Sequence, residues 1–147
     1  MEKVIAIIPA KSNSRRLPNK NILLLNNKPL FLYSVDFAKA SDSIDQIFVS
    51  SDCSKTLEIA KQSNVKCLHR HKDLCTDNTT NFEVLCSHYN QFKLSSIKSD
   101  IIALIQPTTP YRLPNDLTLM INKFRSLKEA HSLITVRELT RARGKLI

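Results

Sequence analysis

A basic segment near the N-terminus carries the residue types best suited to chemistry. Residues 11–21 read Lys-Ser-Asn-Ser-Arg-Arg-Leu-Pro-Asn-Lys-Asn, and their four cations are Lys11, Arg15, Arg16 and Lys20. Serine and asparagine donors among several cations suit a polyphosphate, whose charge needs neutralising and whose oxygens accept hydrogen bonds. A solvated basic surface loop is the alternative, and the residue types alone leave both interpretations open.

The elements that would position this segment follow from the hydrophobic pattern. The apolar residues 4–8 predict a buried strand, so the basic segment would lie at the carboxyl end of a first strand, where α/β proteins hold ligands. Further strands, with amphipathic helices between them, are predicted at 46–52, 65–70, 100–105 and 132–136. This alternation predicts one three-layer α/β/α domain with a mostly parallel, doubly wound sheet. Because the residues after Asp100 in this strand are all apolar, we expect 100–105 to be a central strand covered on both faces.

Each predicted helix has one apolar face. The first begins at Pro29 after a turn over 26–30, and the second is expected to be capped by Ser51 or Asp52. For Asp52, a metal-ligand role is the less favoured alternative. The inner residues are predicted to be Phe82, Leu85, Tyr89 and Phe92 in the third helix and Leu117, Met120, Ile121 and Phe124 in the fourth.

Glycine is almost absent, since Gly144 is the only one in the chain. This excludes a Gly-x-Gly-x-x-Gly dinucleotide fingerprint and a Walker A loop. Asparagine tolerates a left-handed backbone better than most residues do. We therefore predict that Asn13 and Asn27 stand in turns where glycine would be usual.

Charge and hydropathy limit the partners. The net charge of +9 permits nucleic acid, anionic lipid or a phosphorylated small molecule. Because the basic residues are spread along the chain and no recognition module is visible, we expect no nucleic acid partner. No apolar run reaches membrane-spanning length and no secretory signal is visible, so we expect a cytoplasmic protein without a membrane partner.

The four cysteines are expected to be free thiols. They stand at 53, 67, 75 and 86 without a Cys-x-x-Cys pair, and cytosolic cysteines are rarely paired. Cys67, His69, His71 and Cys75 have ligand types that suit zinc, but their spacing matches no common zinc site. We therefore do not expect zinc there.

Three segments resemble one family. Residues 7–21 resemble the N-terminal signature of the acylneuraminate cytidylyltransferases, the CMP-sialic acid synthetases, although Lys11 replaces the usual Arg and Arg16 often corresponds to Gly. Residues 106–112, Gln-Pro-Thr-Thr-Pro-Tyr-Arg, resemble the family's Gln-Pro-Thr-Ser-Pro-Leu-Arg and differ from the related KDO cytidylyltransferases. Residues 70–81 resemble the family's nucleotide segment, with His71 for the usual Pro and with Asn81 for Ser.

The resemblance implies a nucleotide-diphospho-sugar transferase-like fold and a cytidylyltransferase. Such an enzyme transfers CMP from CTP to the anomeric hydroxyl of a nine-carbon 2-keto sugar acid of sialic, legionaminic or pseudaminic type and releases pyrophosphate. It also implies Mg²⁺ as cofactor, with the metal ligands in this sequence unknown.

The resemblance also implies residue roles. The triphosphate would be held by Lys11, Ser14, Arg15 and Lys20, of which Arg15 and Lys20 are predicted to be catalytic. The nucleotide would be placed by Asn21, Arg70 and Asn81, and the catalytic Gln106 would lie near the sugar acceptor. For Arg70, a surface ion pair is the alternative.

The resemblance covers essentially all of this chain but only the N-terminal part of the family's enzymes. We therefore expect residues 1–147 to be the nucleotide-binding part of a single cytidylyltransferase domain, truncated at the C-terminus. The absent part would carry the dimerisation and sugar-binding segments, so a homodimer is expected only in its presence. Residues 145–147 look like the start of another strand. A catalytically inactive CTP-binding remnant of the enzyme is the alternative.

Overall fold

A parallel sheet lies at the centre of the computed structural model, which describes residues 2–14 and 17–136. In chain order the strands are β1 (Val4–Pro9), β2 (Leu24–Leu25), β3 (Lys28–Pro29), β4 (Gln46–Ser51), β5 (Lys66–His69) and β6 (Ile101–Leu104). Four of them form the sheet in the order β5-β4-β1-β6, and all three neighbouring pairs are parallel. Since β1 lies in the interior of this sheet, its carboxyl end meets the ends of its neighbours.

Helices connect the parallel strands. They are α1 (Leu30–Lys39), α2 (Ser54–Gln62), α3 (Asn81–Leu94) and α4 (Asp116–Ser126), with short 3₁₀ helices at Lys20–Ile22 and Lys72–Cys75. Within the described ranges, no helix is both long and apolar enough to cross a bilayer. Strands that alternate with helices around a parallel sheet confirm the predicted α/β class.

Two apolar clusters cover the two faces of the sheet. Val4, Ala6 and Ile8 point from β1 towards one face, where residues of α1, α2 and α4 pack against them. Ile5 and Ile7 point to the opposite face and pack with a cluster that includes α3. Because side chains alternate along a strand, β1 contributes apolar residues to the clusters on both faces of the sheet. The three-layer arrangement is confirmed in the described part of the chain.

Asparagine takes the positions where glycine would be usual. The two-residue turn between β2 and β3 has Asn26 at φ 49° and Asn27 at φ 61°, the pattern of a type I′ hairpin turn. Asn19 and Asn64 are also left-handed. The prediction for Asn27 is confirmed, and the prediction for Asn13 is wrong because its φ is not positive.

Two strand predictions are wrong. In the described sheet β6 is an edge strand with half-buried residues, not a central strand covered on both faces. Residues 132–136 form no strand, and Ile134 and Val136 are 78% and 85% exposed. Their β-branched side chains favour a strand only where a neighbour supplies a ladder, and no described strand pairs with them. The strand start predicted at 145–147 lies outside the described residues.

Two details of the helices also differ from prediction. The buried residues of α3 are Val84, His88 and Phe92, with Leu85 half-buried, whereas Phe82 and Tyr89 are exposed. A prediction from hydrophobicity treats histidine as polar. It therefore left His88 out of the buried face of α3 and placed Phe82 and Tyr89 on that face.

The N-cap of α2 is also not the predicted one. Cys53 occupies that position, and neither Ser51 nor Asp52 caps the helix. Instead, both side chains bond to the segment after β1. The prediction therefore assigned Ser51 and Asp52 to the helix that follows them, whereas they bind the segment after β1.

The orientation of α3 can be tested by truncating its two phenylalanines. Phe92→Ala should lower the free energy of unfolding by about 3–5 kcal/mol, because Phe92 is 1% exposed and packs against Phe48 with ring centroids 4.9 Å apart. Phe82→Ala, at a side chain that is 74% exposed, should change it by less than about 0.5 kcal/mol. Urea denaturation measures both values, and equal losses would contradict the observed face.

Candidate functional site

Seven predicted site residues line one cleft of about 140 Å³ at the carboxyl end of the sheet. They are Lys11, Ser14, Lys20, Asn21, Arg70, Asn81 and Gln106. Arg15, the eighth, lies outside the described residues. The remaining lining residues were not predicted, and Thr79 and Thr108 add hydroxyl groups to it. The strand ends thus bring together segments that are far apart in sequence.

The basic segment is folded back on itself. The amide of Asn19 donates to the carbonyl of Ser12 at 3.0 Å, and Asn19 takes the left-handed conformation at this bend. The side-chain amide of Asn21 donates to the carbonyl of Lys11 at 2.9 Å. These two bonds tie the ends of the segment together, so Lys11 and Lys20 lie on the same cleft.

Asp52 anchors the basic segment to β4. Its carboxylate accepts hydrogen bonds from the amide of Ser12 at 2.8 Å and from the hydroxyl of Ser12 at 2.5 Å. Partial burial opposes the charged form, but the bonds from Ser12 outweigh it and hold the pKa of the Asp52 carboxyl below its ordinary value. An acidic residue directly after a strand that neighbours β1 was the available signal for this contact.

Lys11 joins the basic segment to the loop after β5. Its ammonium group donates to the carbonyl of Thr76 at 3.1 Å and lies 3.5 Å from the carbonyl of Cys75. It also lies 3.7 Å from the carboxylate of Asp77. Lys11 therefore closes one side of the cleft, and its charge is shared with that loop.

Arg70 lies beneath the cleft and is only 4% exposed. Its backbone amide donates to the carbonyl of Ser51 at 2.9 Å, which fixes the main chain where β5 ends. Its Nε donates to the hydroxyl of Ser50 at 3.1 Å, whereas its Nη2 is buried without a hydrogen-bond partner. Burial lowers the pKa of the guanidinium, against the opposing influence of Cys75 and Asp52. In the described part of the chain Arg70 forms no ion pair, so the alternative of a surface pair is wrong.

His88 contacts Ser50, the residue that accepts a hydrogen bond from Arg70. The sequence analysis did not predict this role for His88. Its Nε2 lies 2.7 Å from the hydroxyl of Ser50, and both residues are fully buried. Burial lowers the pKa of the imidazole, and the positive charge of Arg70 lowers it further, although a hydrogen bond to Gln91 raises it. The neutral imidazole is thus the form that this interior holds.

Asn81 is the first residue of α3, whose start is firmly capped. The hydroxyl of Thr80 accepts from the amide of Glu83 at 3.2 Å, and the carboxylate of Glu83 accepts from the amide of Thr80 at 2.7 Å. This capping box fixes the first turn of the helix. Asn81 therefore reaches the cleft from a well-defined helix start.

Gln106 reaches the cleft from the loop after β6, which Arg112 fixes. Arg112 donates to the carbonyl of Gln106 at 2.5 Å and to the hydroxyl of Ser34 at 3.2 Å. Its guanidinium carbon also lies 5.1 Å from the ring centroid of Phe37. Arg112 thus connects this loop to α1, a contact that the motif alone did not reveal.

The cleft collects buried polar atoms that lack partners. Among the described residues, four buried side-chain polar atoms have no hydrogen bond, and three of them belong to residues that line this cleft. The three are Ser14 Oγ, Asn21 Oδ1 and Arg70 Nη2. Since unpaired buried polar groups are costly, their concentration here indicates a place where a ligand supplies the missing bonds.

The sequence is similar to those of known enzymes. A sequence model of the cytidylyltransferase family matches residues 5–143. The N-acylneuraminate cytidylyltransferase of Escherichia coli O18:K1:H7 is 31% identical over 137 residues, which cover 91% of this chain and 31% of that protein. The CMP-N,N'-diacetyllegionaminic acid synthase of Legionella pneumophila is 33% identical over 117 residues, which cover 78% of this chain and 50% of that protein. The chain thus spans half or less of these relatives' lengths.

Solved structures share the fold. A CMP:2-keto-3-deoxy-manno-octonic acid synthetase complexed with CTP superimposes with a TM-score of 0.71 at 20% identity and covers 85% of this chain and 48% of that chain. A cytidylyltransferase from Leptospira borgpetersenii gives a TM-score of 0.68 at 22% identity, over 88% of this chain and 51% of that chain. At these identities the likeness establishes the architecture.

The anchoring role of Asp52 predicts a pH-dependent stability. Asp52→Asn should lower the free energy of unfolding at pH 7 by about 1–2 kcal/mol, because the two donors of Ser12 bond to different carboxylate oxygens and the amide replaces one of these oxygens with a donor. The lowered pKa of the folded state makes this stabilisation fully present above the ordinary value of 3.8, and it is lost as the pH falls through the folded-state value.

Urea unfolding at pH 7 and at about pH 3 measures this effect. The gap between wild type and Asp52→Asn should narrow at the lower pH. The matched control is Asp42→Asn, at an exposed carboxylate, which should shift stability by less than about 0.5 kcal/mol. A gap of constant size at both pH values would show that the charge of Asp52 is not what holds the segment.

Proposed function

The chain belongs to the cytidylyltransferase family, and from this premise we propose that it binds CTP as part of an enzyme that activates a sugar acid. The proposed reaction transfers CMP from CTP to the anomeric hydroxyl of a nine-carbon 2-keto sugar acid and releases pyrophosphate. A cytoplasmic location belongs to the same proposal, and a homodimer is proposed only in the presence of the C-terminal part of the family's enzymes.

The observation that carries the proposal is the set of unpartnered polar atoms around one cleft. Arg70 Nη2 can only donate and Asn21 Oδ1 can only accept, while Ser14 Oγ can do either. A bare polyphosphate offers acceptors alone at neutral pH and leaves Asn21 Oδ1 unsatisfied. A cytidine nucleotide offers acceptors on its phosphates and carbonyl and donors on its amine and ribose hydroxyls. The donor and acceptor mixture therefore favours a nucleotide.

The cations of the cleft suit the triphosphate. Lys20 lines the cleft, and its side chain makes no hydrogen bond or ion pair to any other described residue. Lys11 lines the same cleft, and its ammonium group contacts the loop after β5. A triphosphate would compete with that loop for the ammonium group. Arg15, in the same basic segment, completes the proposed set. Three cations would offset much of the charge of the triphosphate.

These cations would act chiefly on the leaving group. The anomeric oxygen forms a bond to the α-phosphorus, the bond from that phosphorus to the pyrophosphate oxygen breaks, and the hydroxyl proton leaves to solvent or to a base. Pyrophosphate departs with increased negative charge, which positioned cations stabilise in the transition state. We assign this role to Lys20 and Arg15 and place Gln106 near the acceptor sugar.

We propose Mg²⁺ as the cofactor and assign no residue of this chain as its ligand. Within the described ranges, no group of three or more carboxylate, histidine or cysteine side chains could hold a metal ion. Asp52 is already bonded to Ser12, and Asp77 pairs with Lys11. The described residues therefore do not build a Mg²⁺ site, and we derive no step through the ion. Mg²⁺ in nucleotide enzymes is commonly bound through substrate phosphates.

The acceptor is proposed only as a class. The similar proteins include enzymes named for N-acylneuraminate, for N,N'-diacetyllegionaminic acid and for pseudaminic acid. These names share an acidic nine-carbon sugar, which supports that class for this chain.

A second candidate is that the chain binds CTP without turning it over. This candidate is kept because the activities of these relatives belong to whole proteins, of which the matched part covers 31% and 50%. Calorimetric titration with CTP and Mg²⁺, beside a pyrophosphate-release assay with each sugar acid, separates the two. Binding with release supports the transferase, and binding without release supports the second candidate. The absence of CTP binding would contradict both.

Lys20 should matter more than other lysines. In a chain that turns over, Lys20→Ala should lower kcat by at least about tenfold, which corresponds to about 1.4 kcal/mol of transition-state stabilisation. Its matched control is Lys123→Ala, at an exposed lysine near the end of α4, which carries the same charge change. A pyrophosphate-release assay compares them, and a similar small effect in both would refute a central role for Lys20.

Arg70 should control the affinity for CTP. Arg70→Met removes the buried guanidinium but keeps an unbranched side chain in its place. We expect the Kd for CTP to rise by at least about tenfold, because hydrogen bonds to a charged group are lost. Calorimetry at fixed ionic strength measures this. An unchanged Kd in a variant that still folds would remove Arg70 from the proposed site.

A further inference from the structure

Two fully buried side chains, Ser50 and His88, lie directly behind Arg70. Ser50 comes from β4, His88 from the middle of α3, and Arg70 from the end of β5. The hydroxyl of Ser50 is 3.1 Å from Arg70 Nε and 2.7 Å from His88 Nε2. The hydroxyl of Ser50 therefore connects the guanidinium of Arg70, which lines the cleft, to His88 of α3.

The directions of these hydrogen bonds are determined by the groups involved. A guanidinium has no acceptor, so Arg70 Nε must donate to Ser50 Oγ. The hydroxyl proton of Ser50 is then free to donate to His88 Nε2, and this bond gives the proton an acceptor when Nε2 is the unprotonated nitrogen. His88 Nδ1 lies 3.4 Å from Gln91 Oε1, an acceptor, so Nδ1 carries the proton. Both contacts thus specify the same neutral tautomer.

A second protonated nitrogen would break this chain. If His88 Nε2 carried a proton, the Ser50 oxygen could accept from it as well as from Arg70, but the Ser50 proton would then have no acceptor among the described residues. The interior would also hold two cations separated by one hydroxyl group. The arrangement therefore requires His88 to be an acceptor towards Ser50.

We propose that Ser50 and His88 form a relay that holds Arg70, with its unpartnered Nη2, at the cleft that this residue lines, which makes His88 a positioning residue for the nucleotide. The inference rests on the proposed function, because it assigns a ligand to that nitrogen. His88 does not touch the ligand itself. It acts by orienting the hydroxyl of Ser50, which in turn fixes the plane of the guanidinium through Nε.

The same histidine also places a second predicted contact. Asn81, Val84 and His88 are spaced by three and four residues and so share one face of α3. Asn81 and Val84 line the cleft, and His88 attaches this face to β4. The relay therefore sets the distance between Arg70 and Asn81, two of the three residues predicted to place the nucleotide, and we assign these two to its nucleoside end. Among the described residues, neither Lys11 nor Lys20 forms a hydrogen bond to a member of the relay.

Nuclear magnetic resonance tests the relay without any nucleotide. Long-range proton–nitrogen spectra of the uniformly ¹⁵N-labelled chain at about pH 7.5 distinguish the two neutral tautomers and the protonated form. The other three histidines, at 69, 71 and 131, are exposed, and His88→Gln identifies the missing signal. We expect the Nδ1–H tautomer. An Nε2–H tautomer or a doubly protonated ring would overturn the relay whether or not the chain binds CTP.

Calorimetry with two ligands tests the positioning role. His88→Leu removes the acceptor and should raise the Kd for CTP by about tenfold or more, while the Kd for inorganic tripolyphosphate, bound by the lysines, stays within about twofold. His88→Gln carries an amide oxygen at a reach similar to that of Nε2 and should restore most of the CTP affinity. Equal losses for CTP and tripolyphosphate, or no rescue by glutamine, would overturn the proposal.

A matched variant controls for loosening of the helix. Phe92→Leu weakens the packing of α3 on the sheet without touching the relay, so it should lower stability but keep the ratio of the two Kd values. A shift of that ratio as large as in His88→Leu would overturn the positioning role. If the wild-type chain bound no CTP, the proposed function would fall, and the tautomer measurement alone would decide the relay.

Discussion

The burial of the Arg70 guanidinium is the constraint on which the rest of the site depends. A charged group taken from water into the interior is costly unless its donors are satisfied. Here a neutral hydroxyl satisfies Nε and no described group satisfies Nη2, while Asp52, a carboxylate whose charge acts on Arg70, is bonded to Ser12. The protein thus holds a cation that is only partly satisfied by its own atoms. Such a group is stable in the fold because β4, β5 and α3 fix its surroundings, and it is available to a ligand for the same reason.

The shortage of glycine explains how the rest of the cleft is built. Loops that hold phosphates commonly use glycine to bring backbone amides close to the ligand. In this chain the loop after β1 bends at the left-handed Asn19 and is held by side chains, with Asp52 on Ser12 and Asn21 on the carbonyl of Lys11. A loop fixed by side-chain contacts presents lysines rather than amides. Binding would therefore depend on cations to a greater degree than in a glycine-rich loop.

The sequence was informative where local pattern and position coincide. Alternation of strands and helices was enough for the α/β class. The resemblance to one family supplied the candidate site residues, and seven of them line one cleft. The sequence analysis failed where a polar side chain is buried by a partner from another segment. His88 occupies a core position because Ser50 and Gln91 satisfy its nitrogens, and no local pattern contains that information. The strand prediction for residues 132–136 was wrong for a related reason, since strand formation depends on a neighbouring strand and not on propensity alone.

The two halves of the cleft are held by separate sets of contacts. Lys11 and Lys20 are placed by the bonds within the basic segment and by Asp52, whereas Arg70 and Asn81 are placed by Ser50, by His88 and by the capping box of α3. β1 and β4 are the elements that the two sets share, and their parallel register over five residue pairs fixes one set relative to the other. Recognition of the phosphates and recognition of the nucleoside would then be coupled through this strand pair and through the contacts of Lys11 with the loop after β5. A substitution in one set should therefore change one kind of contact first, which makes the two contributions separable by experiment.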